Sequence, residues 1–252
     1  MQKVRREAYG KDIGQHSWVT AEELEEDIPR LRLTRASRFL DLGCGPCGPL
    51  VFTAGLVGCH GSGADLSTRA LAVGRARATA HGLENLVTLH EADLNEPMPF
   101  DSGCFDAVMS VDTVLHLRDR AQMFREVARI LVPGGRFLVT DAGVITGSIS
   151  DDEIRRRAFH GRTQFVPPGF NERTLELAGF RLVMCIDRTA NLLKNATGRL
   201  NARLNHRAEV ERLEGNAYFA GQQHYLETVI SLSQRGALSR MMYLAQSRTS
   251  PD

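Results

Sequence analysis

From Arg38 to Asp141 short apolar runs alternate with segments of helical length, and no other feature of the chain constrains its fold as much. Phe39-Leu40-Asp41-Leu42, Cys59 to Ala64, Leu86 to Ala92, Phe105 to Val111 and Arg136 to Thr140 read as strands bounded by turn residues. Between them, Pro49 to Val57 reads as a short helix, and a Ser67-capped helix runs to His81 and stops at Gly82. Arg120 to Leu131 repeats Met123, Val127, Ile130 and Leu131 at helical spacing before Pro133-Gly134-Gly135 ends it. A helix between successive strands is long enough to carry the chain across a sheet. The pattern therefore predicts an α/β fold, a mostly parallel sheet covered on both faces.

Outside this stretch the rhythm changes. Residues 1–37 are polar and mixed and predict an N-terminal helical cap; the acidic run from Glu22 to Asp27 reads as a solvated helix face. Residues 38–252 then form the main domain. After Asp141, Ser150-Asp151-Asp152-Glu153 is a capping-box helix start. Val166-Pro167-Pro168-Gly169-Phe170 reads as a loop before a short helix capped by Asn171, and Gly179 to Ile186 as a strand. Ala190 to Gln234 is amphipathic and helical, a lid insert at about 190–235, and Ala237 to Ala245 is a last strand.

Composition removes several function classes. The 31 Lys+Arg against 30 Asp+Glu leave a net charge of +1, so no global field draws in nucleic acid or an anionic membrane. No apolar run approaches the roughly 20 residues that span a bilayer, and the charged first 18 residues lack the apolar centre of a secretory signal. Five cysteines, an odd number without metal-ligand spacing, predict no disulfide framework, no metal and a reducing, cytoplasmic location.

Gly43-Cys44-Gly45-Pro46-Cys47-Gly48 satisfies three motifs at once. As G-x-G-x-x-G it is a dinucleotide fingerprint, with Asp65 near the distance of a ribose-binding acid. As Cys-Gly-Pro-Cys it is a redox pair, although that arrangement usually follows a tryptophan and the only one here is Trp18. As Asp41-x-Gly43-x-Gly45 it matches a loop that cradles S-adenosylmethionine.

The residues that follow favour the third motif. Arg38 to Gly45, then Gly63-Ala64-Asp65-Leu66-Ser67, Glu91-Ala92-Asp93-Leu94, Phe105-Asp106-Ala107-Val108 and Leu131 to Arg136 occur in order. Over residues 38–141 this set resembles the class I, Rossmann-like S-adenosylmethionine-dependent methyltransferase family of small-molecule type. The resemblance implies a seven-stranded, mostly parallel sheet with helices on both faces and a helical lid. It also implies S-adenosylmethionine as cofactor, with S-adenosylhomocysteine as product.

The resemblance further implies roles for named residues. Asp41, Gly43 and Gly45 form the loop at the methionine end. Asp65 takes the ribose hydroxyls, Asp93 the adenine amino group, and Leu66 and Leu94 sandwich the ring. The family's third glycine falls at Cys47, so either Gly48 takes that role or Cys47 fills a small-residue site. Asp112 and His116, after the fourth strand, face the acceptor; His116 either removes a proton or packs beside the adenine. Tyr9 to Trp18 resembles the covering segment of sarcosine and dimethylglycine methyltransferases, with Tyr9, Gln15 and Trp18 over the cofactor or acceptor. The expected acceptor is a small metabolite or natural product with a nitrogen or oxygen nucleophile. No nucleic acid or membrane partner is expected, and the oligomeric state, a homodimer included, stays open.

Two other enzyme classes compete. A nicotinamide oxidoreductase would use the same glycine loop and Asp65. A nucleic-acid methyltransferase would use Arg155-Arg156-Arg157 and the helical stripe of Arg199, Arg203 and Arg207. Glu209, Glu211 and Glu214 temper that stripe; DNA amino-methylating enzymes carry an acidic or Asn residue before Pro-Pro-aromatic after strand four, whereas this chain has Asp112-Thr113 there and its Val166-Pro167-Pro168-Gly169-Phe170 comes too late.

Overall fold

The computed structural model describes residues 2–248. Helices α1 (Gln2–Tyr9) and α2 (Ala21–Asp27) precede β1 (Arg38–Leu42). The alternating part follows: α3 (Gly48–Val57), β2 (His60–Asp65), α4 (Thr68–Ala80), β3 (Val87–Glu91), β4 (Phe105–Val111), α5 (Arg120–Ile130) and β5 (Leu131–Ile145). Helices α6 (Asp151–Arg157) and α7 (Phe170–Leu177) lead to β6 (Phe180–Asp187). Then α8 (Thr189–Asn205), α9 (Arg207–Glu214) and α10 (Asn216–Gln234) precede β7 (Leu238–Ser247). The strand order is β3-β2-β1-β4-β5-β7-β6, parallel except for β7, which pairs antiparallel with β5 and β6.

The alternation of side chains along each strand divides the core in two. Leu40, Leu42, Val108, Phe137, Val139 and Tyr243 pack with Met123, Phe124 and Val127 of α5. Their strand neighbours Phe39, Ala107, Met109, Leu138, Met242 and Leu244 pack on the opposite face with Leu50, Val51 and Leu71 of α3 and α4. Covering both faces in this way is what a parallel sheet requires. Order reverses between β1 and β4, because the chain leaves β1 toward β2 on one side and returns from β3 to β4 on the other, and this opens a crevice at their carboxyl ends.

Boundaries differ from the sequence expectation in four places, each with a physical reason. Strand β5 begins at Leu131, paired with Phe105, and absorbs Pro133-Gly134-Gly135 as a register shift before Arg136 pairs with Ala107. It also continues past Asp141 to Ile145, because Val144 and Ile145 pair with Ser239 and Leu238 of β7. The expected long helix is three, broken at His206 and at Gly215, which takes φ 84°. Gly169 precedes α7 in the left-handed conformation, and Asn171 does not cap it. Asn171 is buried instead, with Nδ2 donating to Asp141 and Oδ1 accepting from Arg120. No helix among the described residues is long and apolar enough to cross a membrane.

Candidate active site

The carboxyl ends of β1, β2 and β3 each bring one carboxylate to the same edge of the sheet. Asp41 is buried on β1 and has no hydrogen-bond partner among the described residues; burial, and then the neighbouring Asp65, push its carboxyl well above the usual range. Asp65 accepts from the Gly45 backbone N–H at 2.8 Å through Oδ2 and from the Ser67 N–H at 2.8 Å through Oδ1. Each carboxylate oxygen has a second acceptor direction, so Asp65 can still receive two hydroxyl donors. Asp93 accepts from the backbone and side chain of Asn95 at 2.9 and 2.7 Å, which holds it below the ordinary carboxylate range.

The loop after β1 is tied to β2: Gly43 and Cys44 donate their N–H groups to Ala64 at 2.8 and 3.2 Å. Gly45 sits at φ 52° and a Cβ there would meet nothing within 4 Å, so the cradle has open space above it. The backbone approaches most tightly at Gly48, where a Cβ would lie 2.6 Å from the carbonyl of Ile13 and 2.7 Å from Gly14. Arg77 fastens the two segments by donating to Pro46 at 2.9 Å and Ile13 at 3.0 Å. Gly48 thus receives the N-terminal segment. Cys47 does not face the cradle: it is buried at φ 60°, its sulfur packed against Gly74 of α4.

The N-terminal segment divides differently from the expectation. Tyr9 donates its hydroxyl to the Ser17 carbonyl at 2.9 Å, and Gln15 is buried, its Oε1 accepting from Ile13 at 3.0 Å. Both shape the segment from behind; His16 and Ser17 line the cavity instead. Of the two expected adenine walls, Leu94 is taken into the core while Leu66 stands 64% exposed, so Leu66 alone offers free apolar surface.

Asp112 also departs from its expected role as a catalytic group. It is buried in the left-handed conformation, φ 53°. Its Oδ1 accepts from Thr140 and Arg240, each at 2.8 Å, and Oδ2 accepts from the Trp18 N–H at 2.9 Å. Arg240 also pairs with the buried Glu23 of α2 at 2.6 Å. With its oxygens committed to this cluster, Asp112 is a positioning residue that ties the end of β4 to the N-terminal segment and to β7.

Two cavities meet at His16, Ser17 and Asp112. One, of about 170 Å³, is lined by Asp41, Gly43, Cys44 and Gly45. The other, of about 470 Å³, lies between the sheet edge and α6, α8 and α10. His116 lines the larger one and donates Nδ1–H to the Arg162 carbonyl at 2.8 Å, which leaves Nε2 as the basic nitrogen. The Trp18 ring is there too rather than over the smaller cavity, stacked on Tyr225 with centroids 6.1 Å apart. His160 lines the larger cavity as well, a residue that no sequence motif marks. Within Arg155-Arg156-Arg157 only Arg157 is buried, donating to Tyr225 and to Ala142, each at 3.0 Å. Arg199 and Arg203 line the cavity, and Arg207 pairs with Glu211 outside it. Helical spacing showed that they share a face; nothing local showed what that face meets.

Comparison with known proteins agrees with this geometry. Residues 40–139 match the family model described as a methyltransferase domain. Methyltransferase GfsG of Streptomyces halstedii is 35% identical over half of this chain and 45% of its own length. Sarcosine/dimethylglycine N-methyltransferase of Halorhodospira halochloris is 32% identical over 199 residues, 76% of this chain and 66% of that protein. The chain thus spans about half to two thirds of these curated relatives. Among solved structures, phosphoethanolamine N-methyltransferase 2 of Haemonchus contortus shares the fold at TM-score 0.83 and 20% identity, covering 98% of this chain and 56% of that one. With the ordered strand-end motifs, the matched domain and the sheet order in agreement, the chain belongs to the class I S-adenosylmethionine-dependent methyltransferase family.

Proposed function

We propose that this chain transfers a methyl group from S-adenosylmethionine to a nitrogen or oxygen nucleophile of a small molecule. The observation that carries the reading is the row of carboxylates at the ends of three adjacent parallel strands, with the cavity at Asp41 and Gly45 meeting a larger one beside it. Bound S-adenosylmethionine supplies a methyl group already activated by its sulfonium.

The chain's own residues then bind, orient and exclude water. Asp65 accepts the ribose hydroxyls, Asp93 the adenine amino group, and Leu66 covers the ring. The buried Asp41 and the open backbone at Gly45 receive the cationic methionine end. Placing two reactants in line is the main demand of such a displacement, and the N-terminal segment with α8 and α10 encloses the second one. His116 holds its Nδ1 proton on Arg162, so Nε2 takes the proton the acceptor gives up. All five cysteines are free, which fits a reducing compartment, and we assign the reaction to the cytoplasm.

Calorimetric titration with S-adenosylmethionine, S-adenosylhomocysteine and NADH tests this reading. Saturable binding of the first two alone is expected; binding of NADH alone would overturn it. His116→Ala should lower turnover by about a hundredfold with cofactor affinity kept. An unchanged rate would leave His116 only the task of holding the Arg162 loop.

A further inference from the structure

The 470 Å³ cavity carries more guanidinium than free carboxylate. Three arginines line it, Arg157, Arg199 and Arg203, against two carboxylates, Glu214 and Asp112. Both carboxylates are committed. Glu214 takes Arg203 through two bonds of 3.2 and 2.8 Å, and Asp112 belongs to the Arg240 cluster. Arg157 has only neutral partners, the Tyr225 hydroxyl and the Ala142 carbonyl, and its buried Nε has none. Arg199 pairs with no carboxylate among the described residues; its guanidinium lies over the Trp18 ring, 4.9 Å from the centroid.

A second polar group on the same wall also lacks a partner. Gln222 is 2% exposed, lines the cavity, and its Nε2 has no hydrogen-bond partner. The unpartnered atoms here, Gln222 Nε2 and Arg157 Nε, are donors. A buried donor without an acceptor is costly, and so is a half-buried guanidinium without an anion. The local field has the same sign: burial, then Arg199, Arg157, His116 and Arg203, push the His160 imidazole down to about 4. His16, where the two cavities meet, is likewise lowered by burial and by Arg5 and Arg199.

We propose that the methyl acceptor carries an anionic oxygen group, a carboxylate or a phosphate, and that Arg199 and Gln222 receive it in this cavity. The proposal rests on the methyl-transfer reading and narrows its acceptor class. The guanidinium supplies charge and paired donors, Gln222 adds a neutral donor beside it, and Trp18 offers an apolar wall to the rest of the molecule. The Asp112 end of the same cavity, with His116, is left for the nucleophile.

Trp18 is the only tryptophan of the chain and touches the proposed site, so its fluorescence reports on it directly. The probes are benzoate and phenyl phosphate, with neutral benzamide as control. They are titrated at constant ionic strength into the protein with and without saturating S-adenosylhomocysteine, and heat is measured in parallel. Saturable binding of the anions and not of benzamide is expected, with S-adenosylhomocysteine still bound. Arg199→Met should weaken anion binding about tenfold or more, Arg199→Lys should restore part of it, and Gln222→Leu should weaken it less. Neither Arg199→Met nor Gln222→Leu should change the affinity for S-adenosylhomocysteine.

Equal binding of benzamide, no response to either anion, or unchanged anion affinity in Arg199→Met would overturn the proposal. Competition between the anions and S-adenosylhomocysteine would also overturn it, because Arg199 would then hold the cofactor's own carboxylate. Failure of S-adenosylhomocysteine to bind strikes the methyl-transfer reading itself, and the anion titration then reads the arginine site separately.

Discussion

The two cavities are built from opposite materials. The smaller lies at the ends of the sheet, lined by Asp41 and the backbone from Gly43 to Gly45, with Asp65 and Asp93 following on the next two strands at a spacing the backbone fixes. The larger is made by helices, and Arg157, Arg199 and Arg203 reach it from α6 and α8. The first presents carboxylates and the second guanidiniums. A common cofactor and a particular acceptor make different demands. A site fixed by parallel strand ends can be reused unchanged, while helices that meet it from outside can be rewritten one side chain at a time. Between the two halves stands the buried cluster of Glu23, Arg240, Asp112 and Thr140.

That cluster is where the largest effect is expected. Arg240→Met leaves Asp112 and Glu23 buried without their shared cation. Removing one partner of a buried ion pair costs about 3–5 kcal/mol, which for a chain of this size lowers Tm by on the order of 10 °C. Thermal unfolding followed by circular dichroism measures it. A fall of less than about 2 °C, on the same scaling, would mean that the cluster does not hold the N-terminal segment to the sheet. Asp65→Ala comes next. It frees the Gly45 N–H that it anchors and, in the proposed binding mode, removes the acceptor for two ribose hydroxyls, so S-adenosylhomocysteine affinity should fall about a hundredfold, roughly 3 kcal/mol. Benzoate titrated against Trp18 should be unaffected. Loss of both affinities together would show that the two halves are one coupled site and not two.

Gly48→Ala tests the seam between the loop and the N-terminal segment. The new methyl group meets backbone atoms of Ile13 and Gly14, which cannot rotate away. Overpacking of this kind costs about 1–3 kcal/mol. The segment should shift outward, with a red-shifted Trp18 emission; wild-type stability and emission would mean that the seam yields freely.

The contrast between the halves also explains what the sequence disclosed. The strand-end carboxylates were legible because each sits at or just past the end of a strand pattern: Asp41 within Phe39-Leu40-Asp41-Leu42, Asp65 after Gly63-Ala64, Asp93 after Glu91-Ala92. In a parallel sheet, position along a strand is position in the site. The sheet order needed the resemblance, since nothing in the residues from 131 to 145 marks their pairing with a strand a hundred positions later. The acceptor half was not legible. Arg199 and Arg207 look alike in sequence, one helical face apart by two turns. One faces the cavity and the other an exposed ion pair with Glu211, and the break at His206 decides between them. Tyr9 and Gln15 looked like lining residues because aromatic and polar side chains crowd that segment, yet their partners, Ser17 and Ile13, lie within it. Asp112 likewise could not show that Arg240, 128 positions away, would claim its charge.

The smallest expected effect sharpens the electrostatic side of the comparison, because burial and Asp65 disfavour the charged form of Asp41. Its folded pKa is raised well above the usual range by burial and by Asp65. The unfolded chain gives up this proton first, so between the ordinary carboxylate pKa and the raised one the folded state binds more protons. Its contribution to stability is therefore complete below the ordinary value and is lost as pH rises through the raised one. A cation arriving beside Asp41 reverses the preference by stabilising the carboxylate. Binding of S-adenosylhomocysteine should release a proton, with an enthalpy that changes with the ionisation heat of the buffer. Affinity should rise with pH across that window by at most about tenfold per unit. S-adenosylmethionine, which adds the sulfonium charge, should release at least as many protons, and Asp41→Asn should abolish the buffer dependence for both. Proton uptake on binding, or an unchanged buffer dependence in Asp41→Asn, would detach Asp41 from the cationic end of the cofactor. The carboxylate half would then be defined by Asp65 and Asp93 alone.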